Sequence, residues 1–351
     1  MPAIKSFRNL TAIITGASSG MGRELALQLA SEGCNLALCD VQLEELNVTK
    51  RMVEEIESNV QVTTHFCDVS NAESIATFRR EVEEVHINGW HLLFNNAGIA
   101  GMGQFLEMSK SRFNKVFDVN FVGVVECTRQ FLPMIVKQKM GYVINTSSIN
   151  GFWSALGPAT FPFSSPPHAP YSAAKAAIRG FTDSLLHDSY QNFPHIGIAC
   201  VHPGHIGTSI GKMEYEAGGP TDKQINEWKD KLKRLNYHLD LDSMSVEELQ
   251  QAIANEFKTK APTSASAAAS IILNGIKNGE TRILVGEDAI VVDWLARMFP
   301  RLIYNDYFFT AVFFPWILGA RLVGGPIGRF LYPLIVLLLG YWGGKTIRSR
   351  L

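Results

Sequence analysis

The chain has 351 residues, 46% of them hydrophobic and 19% charged, which suits one large α/β domain with an appendage and argues against gross disorder. A formal net charge of −1 gives no electrostatic case for a nucleic acid partner. Five cysteines, Cys34, Cys39, Cys67, Cys127 and Cys200, form no CxxC pair and read as small buried residues of a reducing compartment.

The N-terminus, MPAIKSFRNL, lacks a long apolar run and a cleavage site, so no signal peptide is expected. Strands are predicted at Thr11–Thr15, Asn35–Asp40, Gln61–Asp68, His91–Asn95, Gly141–Ser147, Ile196–His202 and Arg282–Val285. These runs are apolar without strict alternation, as expected of strands covered on both faces. Helical stretches lie between them; in 42–59, Leu43, Leu46, Val53 and Ile56 share a face. This β–α–β rhythm predicts an α/β fold, a doubly wound parallel sheet that binds ligands at the carboxyl ends of its strands. Three stretches interrupt the rhythm: a Pro- and aromatic-rich loop at 152–170, charged helix candidates at 222–239 and 245–260, and the strongly apolar 303–344.

The first strand ends in Thr15-Gly16-Ala17-Ser18-Ser19-Gly20-Met21-Gly22, with a helix pattern after it. Glycines there let backbone N–H groups approach a pyrophosphate at a helix N-terminus, where the dipole favours negative charge. Asp40 ends the second strand, where a carboxylate accepts hydrogen bonds from both ribose hydroxyls of an adenosine and repels a 2′-phosphate. Neither Ser19 nor Val41 supplies a cation for that phosphate, so NAD is expected over NADP. The alternative is that Asp40 only caps the next helix. Tyr171 and Lys175, at i and i+4, share a helix face, so an ammonium favours the phenolate of its neighbour. Ser148 is placed to hydrogen-bond a substrate oxygen. His202 and His205 flank Pro203-Gly204 without a Cys, Asp or Glu to complete a metal set, and read as ordinary loop residues; no metal is expected.

Taken together, the motifs resemble those of the short-chain dehydrogenase/reductase family over about residues 10–290. TGASSGMG matches its glycine motif, Asp68-Val69 its adenine-side dipeptide, and Asn95-Asn96-Ala97-Gly98 its strand-four signature. Asn120 sits where the family has a catalytic asparagine; Ser147 to Gly151 match SSxxG, Tyr171 to Lys175 match YxxxK, and Pro203-Gly204…Thr208 match PGxxxT. The resemblance implies a Rossmann fold, a nicotinamide cofactor, and an alcohol dehydrogenase or carbonyl reductase acting on CH–OH groups. It implies Asn120, Ser148, Tyr171 and Lys175 as catalytic residues, with Lys175 also holding the nicotinamide ribose and Asn120 a relay water. Its implied cofactor contacts are Gly16, Ser18, Ser19, Gly20, Met21, Gly22, Asp40, Asp68, Val69, Asn95, Ala97, Gly98, Tyr171, Lys175, Pro203, Gly204, Ile206 and Thr208. A homo-oligomer and a substrate lid at about 205–262 are implied as well.

Between Ser148 and Tyr171 lie 22 residues, about ten more than family members usually have. The aromatics of that loop, Phe152, Trp153, Phe161 and Phe163, point to a large apolar substrate, such as a steroid, a retinoid or another lipid; a packed surface loop or an oligomer contact is the competing reading. Two other functions stay open: a catalytically silent nucleotide-binding membrane scaffold, and an epimerase on the same fold.

The boundaries predicted are a catalytic domain over 1–296 and a membrane-associating tail over 297–351. From Arg297 onward seven Lys/Arg face one acid, Asp306, while residues 1–296 carry 25 basic and 32 acidic residues. Residues 307–320 and 330–344 contain no charge. As helices they fall short of a ~30 Å hydrocarbon core, so interfacial or re-entrant segments are expected over a straight span. Their flanking arginines would meet anionic lipid, with the catalytic domain on the cytoplasmic side. A tail-anchor helix, an apolar oligomer interface and extra core are the alternatives.

Overall fold

The computed structural model describes residues 2–153, 168–211, 220, 222–234, 240–298 and 300. All seven predicted strands are present, as β1 (Thr11–Thr15), β2 (Asn35–Asp40), β3 (Val62–Phe66), β4 (Leu92–Asn95), β5 (Gly141–Thr146), β6 (Ile196–Pro203) and, after two short strands, β9 (Arg282–Val285). They form one parallel sheet in the order β3-β2-β1-β4-β5-β6-β9. The order reverses between β1 and β4, which opens a crevice at their carboxyl ends.

Both sheet faces are buried. Ala12, Ile14, Leu36, Leu38, Leu92, Phe94, Tyr142 and Ile144 join one core with Leu25 and Leu29 of α1 (Gly20–Ser31). Ile13, Ala37, Cys39, Leu93 and Val143 join the other core. There they meet Ile75 and Phe78 of α3 (Ala72–Val85) and Phe131 of α5 (Gly123–Ile135). Period-two alternation is therefore real but splits apolar residues between two cores, which is why the strands read as continuous apolar runs. All five cysteines are buried thiols.

Helix α2 (Leu43–Ile56) corrects one detail of the expected helix face. Leu46, Thr49 and Val53 are fully buried, whereas Leu43 and Ile56 are 41% and 50% exposed. Thr49 takes a core position because its hydroxyl reaches the Ala17 carbonyl at 3.0 Å.

Between β6 and β9 the two charged helix candidates are present, and one feature beside them was not foreseen. A pair of two-residue strands, β7 (Ile206–Gly207) and β8 (Thr263–Ser264), pair in parallel and bracket an insertion. The insertion carries α7 (Asp222–Arg234) and α8 (Val246–Thr259), the latter started by a Ser245/Glu248 capping box. Trp228, Leu232, Leu241, Leu249 and Ile253 give the two helices a small core of their own. The chain continues through α9 (Ala265–Asn278) and, after β9, into α10 (Glu287–Met298). Two compact units are distinguished, 1–154 with 167–291, and 155–166 with 292–351. In the second, the described residues are 292–298 and 300. The segments 307–320 and 330–344, and Phe161 and Phe163, lie outside the described residues. Among the described residues no helix is long and apolar enough to cross a membrane, and no group of three His, Cys, Asp or Glu side chains is placed to hold a metal ion.

Candidate active site

The glycine motif forms the turn from β1 into α1. Gly16 and Gly20 hold φ of +67° and +55°, conformations that a side chain would strain. A Cβ on Gly22 would stand 2.1 Å from the Gly16 carbonyl oxygen, so the first turn of α1 lies directly on the turn before it. Ser19 precedes the helix without capping it through its side chain. Asn96 braces the arrangement, donating to the Thr15 and Gly16 carbonyls at 3.0 and 3.2 Å. Ala97 is close too, since a Cβ on Gly16 would lie 2.8 Å from its Cα.

Asp40 closes the other side of this turn. One carboxylate oxygen accepts from the Ser18 N–H at 3.1 Å and the other from the Gln42 N–H at 3.0 Å, where α2 begins. It is not the cap of α2, whose N-cap is Gln42 without a side-chain cap bond, but it holds that residue's N–H and joins β2 to the glycine turn. Arg23 stands nearby but is engaged. Its guanidinium bonds Glu45 at 3.0 Å, Thr49 at 2.9 Å, and the Ser18 carbonyl.

Asp68 follows β3 and accepts from Ser70 Oγ at 2.6 Å and Lys115 Nζ at 3.1 Å. Burial raises its carboxyl, but these donors outweigh it and leave the group below its ordinary range. Lys115 sits on α4 (Lys110–Phe117), 47 residues away, and no sequence spacing marks it as Asp68's partner. Val69 is 7% exposed, and a Cβ on Gly123 would meet its carbonyl at 2.6 Å.

Asn95 is turned inward and 2% exposed. It donates to Thr128 at 3.0 Å and to Asn145 on β5 at 2.8 Å, so its side chain ties the sheet together. Asn120 lies on a π-helical turn (Asp118–Val122), where the Gly123 N–H bonds the Asp118 carbonyl five residues back. Its amide is held at both ends by Ile99, accepting from the N–H and donating to the carbonyl, each at 2.9 Å. Gly98 lies against it: a Cβ there would be 2.8 Å from Asn120 Oδ1 and 3.6 Å from Lys175 Nζ.

Tyr171 lies in the first turn of α6 (Ala169–Asn192) and Lys175 in the second. Lys175 is 3% exposed and donates to the Thr146 carbonyl at 2.7 Å, with its ammonium 5.5 Å from the Tyr171 ring centre. Burial pushes it down to about 8, slightly opposed by Cys200. Burial also raises the Tyr171 phenol, while a hydrogen bond with the Ser148 side chain pulls it the other way. Ser148 begins a 3₁₀ turn (Ile149–Gly151) and its hydroxyl accepts from the Asn150 N–H at 3.2 Å. Gly151 explains the glycine of that motif, because a Cβ there would come within 2.7 Å of both Lys175 O and Ser147 Oγ. The structure therefore brings Ser148, Tyr171, Lys175, Gly98 and Asn120 together from four segments.

Of the loop aromatics, Trp153 is buried and the half-buried Phe152 ring lies 5.2 Å from the tilted ring of His202, with the Arg282 guanidinium 5.4 Å from it. These two rings serve internal packing. On the PGxxxT turn, Thr208 meets the glycine motif: a Cβ on Gly20 would lie 3.1 Å from Thr208 Cγ2. Gly204 and Ile206 are anchored to Val285 and Thr263 respectively.

The chain is similar to known proteins in sequence and fold. A family model described as short chain dehydrogenase matches residues 10–218. SadH of Mycobacterium tuberculosis, named as an oxidoreductase, is 32% identical over 317 residues, 89% of this chain and 99% of its own length. The oxidoreductase UcpA of Salmonella typhimurium is 31% identical over 221 residues, 61% of this chain and 76% of its own. A short chain dehydrogenase/reductase from Burkholderia phymatum, solved in complex with NAD, is 25% identical with a TM-score of 0.69, and the match covers 86% of this chain and 98% of that one.

Proposed function

This chain belongs to the short-chain dehydrogenase family, and from that premise we propose that it transfers hydride between NAD and an alcohol or carbonyl group of a lipophilic substrate at a membrane surface. The observation that carries the reading is the juxtaposition of Ser148, the Tyr171 phenol and the buried Lys175 ammonium. The cofactor fits the residues present. Gly16, Gly20 and Gly22 leave a cradle of bare backbone at the start of a twelve-residue helix, and Asp40 stands beside it.

When bound, the nicotinamide accepts or supplies the hydride. Tyr171 Oη takes the hydroxyl proton during oxidation and returns it during reduction. Lys175 lowers the cost of the phenolate by placing positive charge beside the ring, and the Ser148 hydroxyl steadies the substrate oxygen as charge develops on it. Asn120 and Gly98 close the floor next to Lys175, with Asn120 proposed to position a relay water. Asp68 and Val69 are assigned to the adenine side, and the backbone of Asn95, Ala97, Gly98, Pro203, Gly204, Ile206 and Thr208 to the nicotinamide side.

Support for a lipophilic substrate comes from the loop that leaves the carboxyl end of β4, where Phe105 and Leu106 are 63% and 96% exposed. Stoichiometric NADH formation from a panel of steroid, retinoid and long-chain alcohols tests the reaction. NADH binding without net turnover on any of them would favour the scaffold or epimerase alternatives.

Membrane association rests on the tail, where two uncharged stretches are flanked by seven Lys/Arg and one acid from Arg297 onward. Full-length protein is expected to sediment with anionic liposomes, and a chain ending at Pro300 to remain in the supernatant. If both remain there without detergent, the tail is an oligomer interface or additional core instead.

A further inference from the structure

His205 follows the Pro203-Gly204 turn, and its sequence context marks it as an ordinary loop residue. Its surroundings are more specific. The Gly204 N–H bonds the Val285 carbonyl at 2.9 Å, and the His205 N–H donates to Asp288 Oδ2 at 2.6 Å. Asp288 lies in the first turn of α10 and comes so close that a Cβ on Gly204 would be 2.1 Å from its Oδ1. Burial raises the Asp288 carboxyl, and the backbone N–H of His205 is the first of the groups that offset this.

On its other side His205 reaches the inserted helices. Its Nε2 lies 2.7 Å from the Phe257 carbonyl, which requires a proton on that nitrogen, and the two rings touch at 4.2 Å between centres, tilted by 46°. Phe257 is the third residue from the end of α8, so its carbonyl is among those a helix leaves without an internal partner. The imidazole supplies that partner. Because α8 packs on α7 through a shared core, fixing the end of α8 fixes the base of the pair.

We propose that His205 is a positioning residue, held by Asp288 on one side and bonded to Phe257 on the other, that locks the inserted helical pair to the turn at 203–208. The inference rests on the assignment of that turn to the nicotinamide side of the cofactor. A loose base would let the turn move relative to Gly20, which it meets through Thr208. Cofactor affinity should then fall while the chemistry at Tyr171 proceeds.

NADH binding to the full chain, followed by its fluorescence, tests this without turnover. His205→Ala should bind about five- to tenfold more weakly, the order of one lost hydrogen bond, with kcat at saturating cofactor within about twofold of the parent. His205→Gln, which can still donate to the Phe257 carbonyl, should recover to within about twofold. His205→Phe keeps a ring against Phe257 without the donor and should behave like the alanine variant; it carries the test if His205→Ala does not fold. Equal binding by His205→Phe and the parent, or a glutamine variant no better than the phenylalanine one, overturns the proposal. If the parent itself fails to bind NADH, the assignment of the cofactor site falls first and this inference with it.

Discussion

Replacing Tyr171 by phenylalanine should lower turnover by about 10²–10⁴-fold and leave NADH binding within about twofold of the parent. The ring keeps its place on α6, five and a half ångströms or so from the Lys175 ammonium (5.5 Å to its centre), and only the oxygen that carries the proton is lost. A structural collapse would weaken cofactor binding as well, so the pair of measurements separates chemistry from folding. The pH profile gives a second check. Burial holds the proton on Tyr171 and favours its loss from Lys175, whose value is pushed down to about 8. Alcohol oxidation needs the phenolate, so its kcat/KM should rise with pH between about 6 and 8, above which loss of the Lys175 charge opposes the gain. Carbonyl reduction needs the phenol and should stay nearly flat over that interval. A phenylalanine variant with near-normal turnover, or an oxidation rate indifferent to pH, would remove Tyr171 from the reaction.

How far such a site can be read from sequence depends on where its partners lie along the chain. Tyr171 and Lys175 are one helical turn apart, and the glycines of 16–22 span a single strand-to-helix connection, so local spacing was sufficient. The strands were legible for a related reason: burial on both faces leaves no polar residues to interrupt them. Contacts between distant segments were not legible. Lys115 meets Asp68 across 47 residues and His205 meets Asp288 across 83, and neither separation has a periodicity to find. Asn95 and Asn96 are adjacent and chemically identical. Only the pleat turns the first toward Thr128 and Asn145 and leaves the second to hold the glycine turn. The loop aromatics show the same limit. Phe152 and Trp153 follow Ser148 in sequence, but the ring of the half-buried Phe152 lies 5.2 Å from that of His202 on β6, a contact 50 residues away that no local spacing marks. The π-helical turn around Asn120 carries no composition signal at all, since it differs from an α-helix by one residue of register.

The second large effect concerns cofactor choice. NAD should exceed NADP in kcat/KM by about 10²-fold or more, because a carboxylate a few ångströms from a 2′-phosphate costs several kcal/mol even at an effective dielectric near ~20. Among the described residues beside this position, Val41 and Ser19 are neutral, and the Arg23 guanidinium is tied to Glu45, Thr49 and the Ser18 carbonyl. Asp40→Ala is a poor test on its own, since it also removes the bonds that Asp40 makes to the Ser18 and Gln42 N–H groups and so loosens the glycine turn for both cofactors. Asp40→Asn removes the charge and keeps an acceptor in the same position. It should narrow the NAD/NADP ratio by about tenfold through better use of NADP, while the NAD constants move less. Inversion should require a cation as well, and Val41, adjacent to Asp40 and 52% exposed, is the position for it. Asp40→Asn combined with Val41→Arg is therefore expected to prefer NADP. A parent enzyme that already prefers NADP would show that Asp40 serves only α2 and the glycine turn, with the 2′-phosphate held by a residue not assigned to it.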